Sequence, residues 1–86
     1  LLLEDSIPLR AGFYDYRGQV IGSPGVTGTW KNWTSGQTGD LIREGPTWRS
    51  NASVDLLNGE NDLEVSFTDD HNVVFSDSLT LEKAVP

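Results

Sequence analysis

The clearest pattern in the chain is an alternation of apolar and polar residues in its last third. Leu63, Val65 and Phe67 occupy every second position, and the positions around them hold Asp62, Glu64, Ser66 and Thr68. Successive side chains of a β-strand point to opposite faces, so this period of two predicts a strand with one buried and one solvated face. Asn58-Gly59 precedes the segment and predicts a tight hairpin turn, because both residues tolerate a positive φ.

The same period recurs in shorter segments along the rest of the chain. We predict further strands at residues 7–16, 19–22, 26–31, 41–42 and 48–56, and from residue 73 or 74 to 82. Gly and Pro separate most of these segments, and no window has the i, i+3, i+4, i+7 spacing of an amphipathic helix. About seven short strands with turns between them predict an all-β fold, an antiparallel β-sandwich.

The strand parities also predict which side chains form the core. The apolar residues expected to face inward are Trp30, Trp48, Val54, Leu56, Leu63, Val65, Phe67, Leu79 and Leu81. Asp77 has the same inward parity as Leu79 and Leu81, and a charged residue at an inward position predicts a bulge or an exposed edge in the final strand. Pro8 lacks an N–H, which confines its strand to a sheet edge or a strand start.

The length and charge of the chain restrict its function. Eighty-six residues make one domain over 1–86 with a modest core; we expect 1–6 to be a docking strand or linker and 84–86 the start of a linker. The net charge of −7 argues against binding to nucleic acid or anionic membranes. No apolar run approaches the roughly 20 residues of a membrane-spanning helix, and the absence of cysteine excludes disulfide and thiolate chemistry.

Two motifs lie between Ser23 and Glu82. Gly59-Glu60-Asn61 through Asp69 has the pattern G-x-N-x-hydrophobic-x-hydrophobic-x-hydrophobic-x-D, with a last strand at Phe75 to Leu81, and Val26-Thr27-Gly28-Thr29 has the pattern V-x-G-T. In both motifs the segment resembles bacterial and archaeal immunoglobulin-like surface modules. The resemblance implies an immunoglobulin-like sandwich at an extracellular or cell-surface location.

The function implied by this resemblance is structural or adhesive. The chain would be a non-catalytic module or subunit of a surface protein, sheath or filament, and neighbouring modules or subunits of the same protein would be its partners. Leu1 to Leu3 form an apolar segment that would dock on such a neighbour. A viral decoration or tail protein would use the same sandwich and is a further alternative.

A second similarity predicts a different chemistry. The segment VTGTWKNW, residues 26–33, is similar to the V-x-G-x-[WF]-x-x-W motif of starch- and glycogen-binding modules. It implies that Trp33 stacks on a glucose ring, and Trp30 and Trp48 are further candidates for carbohydrate contact, although their strand parity places them in the core. The family's Lys and third Trp have no counterpart here. The alternative function is therefore a glycan-binding module attached to a carbohydrate-active enzyme.

Several polar residues are candidates for other sites. Asp69, Asp70, Asn72 and Asp77 offer the oxygen ligands that calcium prefers, without a D-x-D-x-D spacing; a solvated hairpin tip is the alternative. Beyond Ca²⁺ we expect no cofactor. Asn32-Trp33-Thr34 and Asn51-Ala52-Ser53 fit the N-glycosylation pattern, Asn32 in a turn and Asn51 facing outward. We predict no enzyme activity, because a catalytic base needs a positioned partner, whereas His71, the one histidine, is expected to be a solvated residue of a turn.

Overall fold

The computed structural model describes residues 6–12, 21–22 and 25–84, and these residues form β-strands and turns without a helix. The strands are β1 (Ser6–Ile7), β2 (Arg10–Gly12), β3 (Thr27–Asn32), β4 (Thr38–Glu44), β5 (Thr47–Ser50), β6 (Val54–Asp55), β7 (Gly59–Thr68) and β8 (Val74–Lys83). All pairings between them are antiparallel. The prediction of an all-β antiparallel fold is confirmed. Residues 13–20, which include the end of the strand predicted at 7–16 and the first half of the strand predicted at 19–22, lie outside the described residues.

Six strands form one sheet in the order β2-β5-β4-β3-β7-β8, and β1 pairs with β6 in a separate two-stranded sheet. The longest pairing joins β7 to β8 without interruption, from Gly59 opposite Lys83 to Thr68 opposite Val74. On its other side β7 pairs with β3. The carboxyl-terminal hairpin therefore occupies one side of the large sheet, with β8 last in the order of the described strands.

The core lies against one face of the large sheet. Its buried apolar side chains are Leu9, Ile21, Val26, Trp30, Leu41, Trp48, Val54, Leu63, Val65 and Phe67. Leu56 is also buried, whereas Leu79 and Leu81 are partly buried and pack against this cluster. Val54 of the small sheet shares the cluster with Trp30 and Val65 of the large sheet, so apolar burial holds the two sheets together.

The predicted strand 48–56 is in fact two strands in different sheets. β5 pairs with β4 in the large sheet, whereas β6 pairs with β1. Ser50 causes the break locally: its N–H donates to the Leu9 carbonyl at 2.8 Å, and its hydroxyl accepts from the Leu9 N–H at 3.1 Å. Ala52, which the alternation places inward, is exposed in the bend that follows.

The predicted hairpin at Asn58-Gly59 is wrong. Gly59 has the expected positive φ of 85°, but β6 and β7 on either side of it do not pair with each other. The chain instead passes from the small sheet to the large one at this corner. A residue with positive φ permits either a hairpin or a passage between two sheets, and the partners of the flanking strands decide which of the two forms.

Two predictions about sheet edges are consistent with the structure. Pro8 lies between β1 and β2, and among the described strands each of these is at the edge of its sheet. Asp77 faces Val65 in an unbroken register, so β8 has no bulge at this point and the carboxylate lies on the strand that ends the described sheet.

Candidate functional site at Trp33

The three tryptophans lie in two different environments. Trp30 and Trp48 are each 3% exposed, whereas Trp33 is 59% exposed. The Trp48 Nε1–H donates to the Ile21 carbonyl at 2.9 Å, and its ring centroid lies 5.3 Å from that of Phe67. Trp30 packs over Gly39. Burial removes Trp30 and Trp48 as carbohydrate-contacting residues in this fold, so Trp33 is the remaining candidate of the three.

Backbone hydrogen bonds fix the turn that carries Trp33. The Trp33 N–H donates to the Asp62 carbonyl of β7 at 2.8 Å, and the Asp62 N–H donates to the Thr34 hydroxyl at 3.0 Å. The Asn32 side-chain oxygen accepts from the Thr34 N–H at 2.9 Å and from the Ser35 N–H at 3.3 Å. This Asx turn reverses the chain after β3 and directs the indole away from the core.

Two charged side chains hold the indole of Trp33. The Lys31 ammonium nitrogen lies 3.8 Å from the ring centroid, within the range of a cation–π interaction. The Trp33 Nε1–H donates to Glu64 Oε1 at 3.4 Å. Lys31 and Glu64 face each other across β3 and β7, so the sheet register sets both contacts. The ring is oriented in advance of any ligand, and its exposed surface is available for stacking.

A buried asparagine pair supports this turn from below. Asn32 and Asn61 are both 0% exposed, and Asn32 Nδ2 donates to Asn61 Oδ1 at 3.1 Å. Asn61 also accepts from the Leu57 N–H at 2.8 Å and donates to the Leu57 carbonyl at 2.8 Å. This pair is not among the residues predicted to be buried, although Asn61 shares the inward parity of Leu63 and Asn32 that of Trp30.

This burial corrects the expected exposure of Asn32. Its Nδ2, the atom that a glycan would modify, donates to both Asn61 Oδ1 and the Asp55 carbonyl inside the fold. A glycosylating enzyme therefore cannot reach this nitrogen in the folded chain. Asn51 is exposed in the bend after β5, and its modification stays a prediction.

The acidic turn between β7 and β8 brings together only part of the predicted calcium set. Ligand atoms of Asp69, Asp70 and His71 lie within 4.8 Å of one another, whereas Asp77 lies further along β8, opposite Val65. Asp69 Oδ1 accepts from the His71 and Val73 N–H groups, each at 2.9 Å. Asn72 adopts φ 63° in the same turn. The two hydrogen bonds to the backbone explain why the turn has an aspartate at position 69, since Asp side chains commonly accept hydrogen bonds from the backbone of a turn.

Comparison of the chain with protein-family models, curated proteins and solved structures found no match. Within the residues that the structure describes, no helix is long and apolar enough to cross a membrane.

Proposed function

We propose that the chain is a non-catalytic, immunoglobulin-like sandwich module of an exported surface protein, sheath or filament. In this role it spaces and packs against neighbouring modules or subunits. The proposed sandwich of two packed layers is supported by Val54 of β6 and by Leu9, because both are buried in the same apolar cluster as side chains of the large sheet. The immunoglobulin-like assignment rests on the resemblance of residues 23–82.

The observation that carries the packing role is the position of β8 at the end of the large sheet formed by the described strands. This strand is ten residues long and has β7 as its partner among the described strands. Edge strands present N–H and C=O groups that pair readily with another strand. Long edges of this kind suit a protein whose partners are extended segments of neighbouring subunits.

Truncation of the apolar start tests the packing role. If Leu1 to Leu3 dock on a neighbour, a chain without them will form smaller assemblies by multi-angle light scattering. Leu57→Ser is the matched control, because Leu57 is a 45% exposed leucine far along the chain and its loss should not change the mass. An identical mass distribution for the truncated and full chains would rule out docking through this segment.

A second candidate function, glycan binding beside a catalytic domain, is supported by the oriented indole of Trp33. We expect Trp33→Ala to abolish retention on insoluble starch, since stacking on an exposed ring would supply most of the contact. The melting temperature should not change, because the indole is largely exposed. Ile42→Ala is the control, as Ile42 is an exposed apolar residue on β4. If the unmodified chain binds no sugar on a broad glycan array, this candidate is ruled out.

A further inference from the structure

Two arginines face each other across strands β2 and β5. Arg10 is the register partner of Arg49, and the Ser50 N–H of the neighbouring pair donates to the Leu9 carbonyl. Hydrogen-bonded and non-hydrogen-bonded pairs alternate along an antiparallel ladder, so Arg10 and Arg49 form a non-hydrogen-bonded pair, in which side chains are closest. Like charges directly opposite each other destabilise a pair of strands. A counter-charge is therefore needed here.

One carboxylate is shared by the two guanidinium groups. Arg49 Nε donates to Glu44 Oε2, whereas Arg10 Nη1 lies 4.0 Å from Glu44 Oε1, which is too far for a hydrogen bond. Two positive charges thus meet one negative charge, and one positive charge is in excess within a chain whose net charge is −7. This local excess favours a further anion beside the pair.

Both guanidinium groups retain donors for such an anion. An arginine side chain carries five N–H donors in one plane. Arg49 commits two of them to described residues, one to Glu44 and one from Nη1 to the Ser50 carbonyl at 3.2 Å. Within the described part of the chain no group accepts a hydrogen bond from the Arg10 guanidinium, and this side chain is 58% exposed. The remaining N–H groups can bind the oxygens of an anion.

A groove of about 320 Å³ lies beside the two arginines. Its other walls are Pro8 and residues 50–53, the end of β5 and the bend that follows it. Asn51 and Ser53 are exposed in this bend, and an amide and a hydroxyl can each donate to an anionic oxygen. Of the described carboxylates, none lines the groove. The groove therefore presents donors without a competing negative charge.

We propose that this groove binds a tetrahedral oxyanion, a phosphate or sulfate group, between Arg10 and Arg49. Glu44 faces Thr47 on one side of Arg49 along β5, and the bend begins on the other side, so the ligand and Glu44 approach the pair from opposite sides. The two guanidinium groups belong to different strands, and a tetrahedral group offers oxygens to both. The site does not depend on the packing role or on glycan binding.

The acidity of the rest of the chain restricts the ligand to a single group. The chain as a whole carries a net charge of −7, although the groove has a positive excess. An extended polyanion would place its further charges against acidic surface, where they are repelled. The ligand is therefore free phosphate or sulfate, or one such group on a small molecule.

A titration observed by NMR tests the site directly. Sodium sulfate is added to the ¹⁵N-labelled chain, with sodium chloride adjusted to keep the ionic strength constant, and the arginine Nε–H signals are followed. We expect saturable shifts for Arg10 and Arg49, with a dissociation constant on the order of 1–10 mM, because the site is partly exposed. Arg43 is the internal control, since its guanidinium carbon lies 5.0 Å from the Trp48 ring centroid and it does not line the groove.

Substitutions distinguish a binding site from a purely structural charge cluster. Arg10→Gln should weaken sulfate binding roughly tenfold, and Arg10→Lys should recover part of the loss, because lysine keeps the charge but not the planar set of donors. Glu44→Gln should strengthen sulfate binding while it destabilises the fold, because it removes the competing carboxylate. Lys31→Gln is the matched control for the loss of one positive charge outside the groove. Urea midpoints would verify that each variant is folded.

Each outcome supports or overturns the site. Saturable shifts that are weakened in Arg10→Gln and strengthened in Glu44→Gln support it. No saturable shift with sulfate or phosphate up to about 50 mM, or equal shifts in the Arg10→Gln chain, overturns it. Dextran sulfate should bind no more tightly per sulfate group than inorganic sulfate does, and much tighter binding of the polymer would overturn the restriction to a single group. The packing role is decided separately by the truncation experiment.

Discussion

Asn32 and Asn61 bond the backbone of two separate segments, the turn after β3 and residues 55–57, from inside the core. Asn32 holds the turn at Thr34 and the carbonyl of Asp55, and Asn61 holds both backbone groups of Leu57. A buried polar group costs free energy when it is unpaired and little when it is fully bonded. The pair therefore favours one arrangement of these segments over others of similar apolar burial.

Removal of Asn61 should destabilise the chain strongly. Asn61→Ala leaves the part-buried N–H and C=O of Leu57 without their side-chain partner and removes one of the two acceptors of Asn32 Nδ2, so we expect a loss of about 2–3 kcal/mol in the free energy of unfolding. Urea titration followed by tryptophan fluorescence would measure it. Asn51→Ala, at an exposed position, should change the stability by no more than about 0.5 kcal/mol. Equal effects of the two substitutions would contradict the role assigned to the pair.

Gly39 is required by its contact with Trp30. A Cβ at this position would lie 2.7 Å from Trp30 Nε1, which is closer than such atoms approach. Gly39→Ala should therefore cost about 1–3 kcal/mol through overpacking, measured by urea denaturation. Trp30→Phe in the same chain should recover part of the loss, because a smaller ring leaves room for the methyl group. If the changes in the free energy of unfolding caused by Gly39→Ala and Trp30→Phe are strictly additive, the two residues are not in contact.

At the scale of elements, a cluster of charges joins three neighbouring strands of the large sheet. The Arg49 guanidinium of β5 donates to the carboxylate of Glu44 on β4, and Arg10 Nη1 of β2 lies 4.0 Å from Glu44 Oε1. The hydrogen bond from Arg49, and then its positive charge, hold the pKa of Glu44 below its ordinary value of 4.5. The pair closes the β4–β5 hairpin beside the Gly45-Pro46 turn.

The lowered pKa predicts the sign of a pH dependence. A carboxyl whose pKa is lower in the folded state stabilises the fold fully above its unfolded pKa, and this contribution is lost as the pH falls through the folded pKa. Glu44→Gln should therefore lower the urea midpoint at pH 7, and the difference from the original chain should vanish in strong acid. In an Arg49→Gln background the same substitution should have little effect at any pH. A difference that is constant between pH 7 and pH 2 would contradict this origin.

At the scale of the whole molecule, the pairing of strands distant in the chain dominates the fold. Ser6 pairs with Asp55, and Arg10 pairs with Arg49. The β3 strand pairs with β7 across the whole middle of the sequence. Loops that close such contacts lose entropy before the contacts form, which slows folding.

This topology predicts slow refolding for so short a chain. We expect stopped-flow refolding, followed by the fluorescence of Trp30 and Trp48, to occur in milliseconds to seconds, as for other β-sheet domains of high contact order. Trp33→Phe is a suitable background, because it removes the exposed fluorophore. Refolding in microseconds would contradict this prediction, because it would show that contacts between distant strands do not limit the folding rate.

The sequence by itself determined that the chain is all-β and which face of its longer strands is buried. Leu63, Val65 and Phe67 are buried in β7 as their alternation predicts, because burial of every second side chain depends only on neighbouring positions. The same local rule placed Trp30 and Trp48 in the core and Trp33 beyond the strand, and these are their positions in the structure.

The tertiary structure alone decided which strands pair and which polar residues enter the core. The break after Ser50, the corner at Asn58-Gly59 and the burial of Asn32 against Asn61 each depend on partners far away in the chain. Lys31 and Glu64 meet Trp33 for the same reason, since the β3–β7 register brings them together. Local alternation carries no information about which strand will lie alongside, because hydrogen bonds between backbones are the same for every sequence.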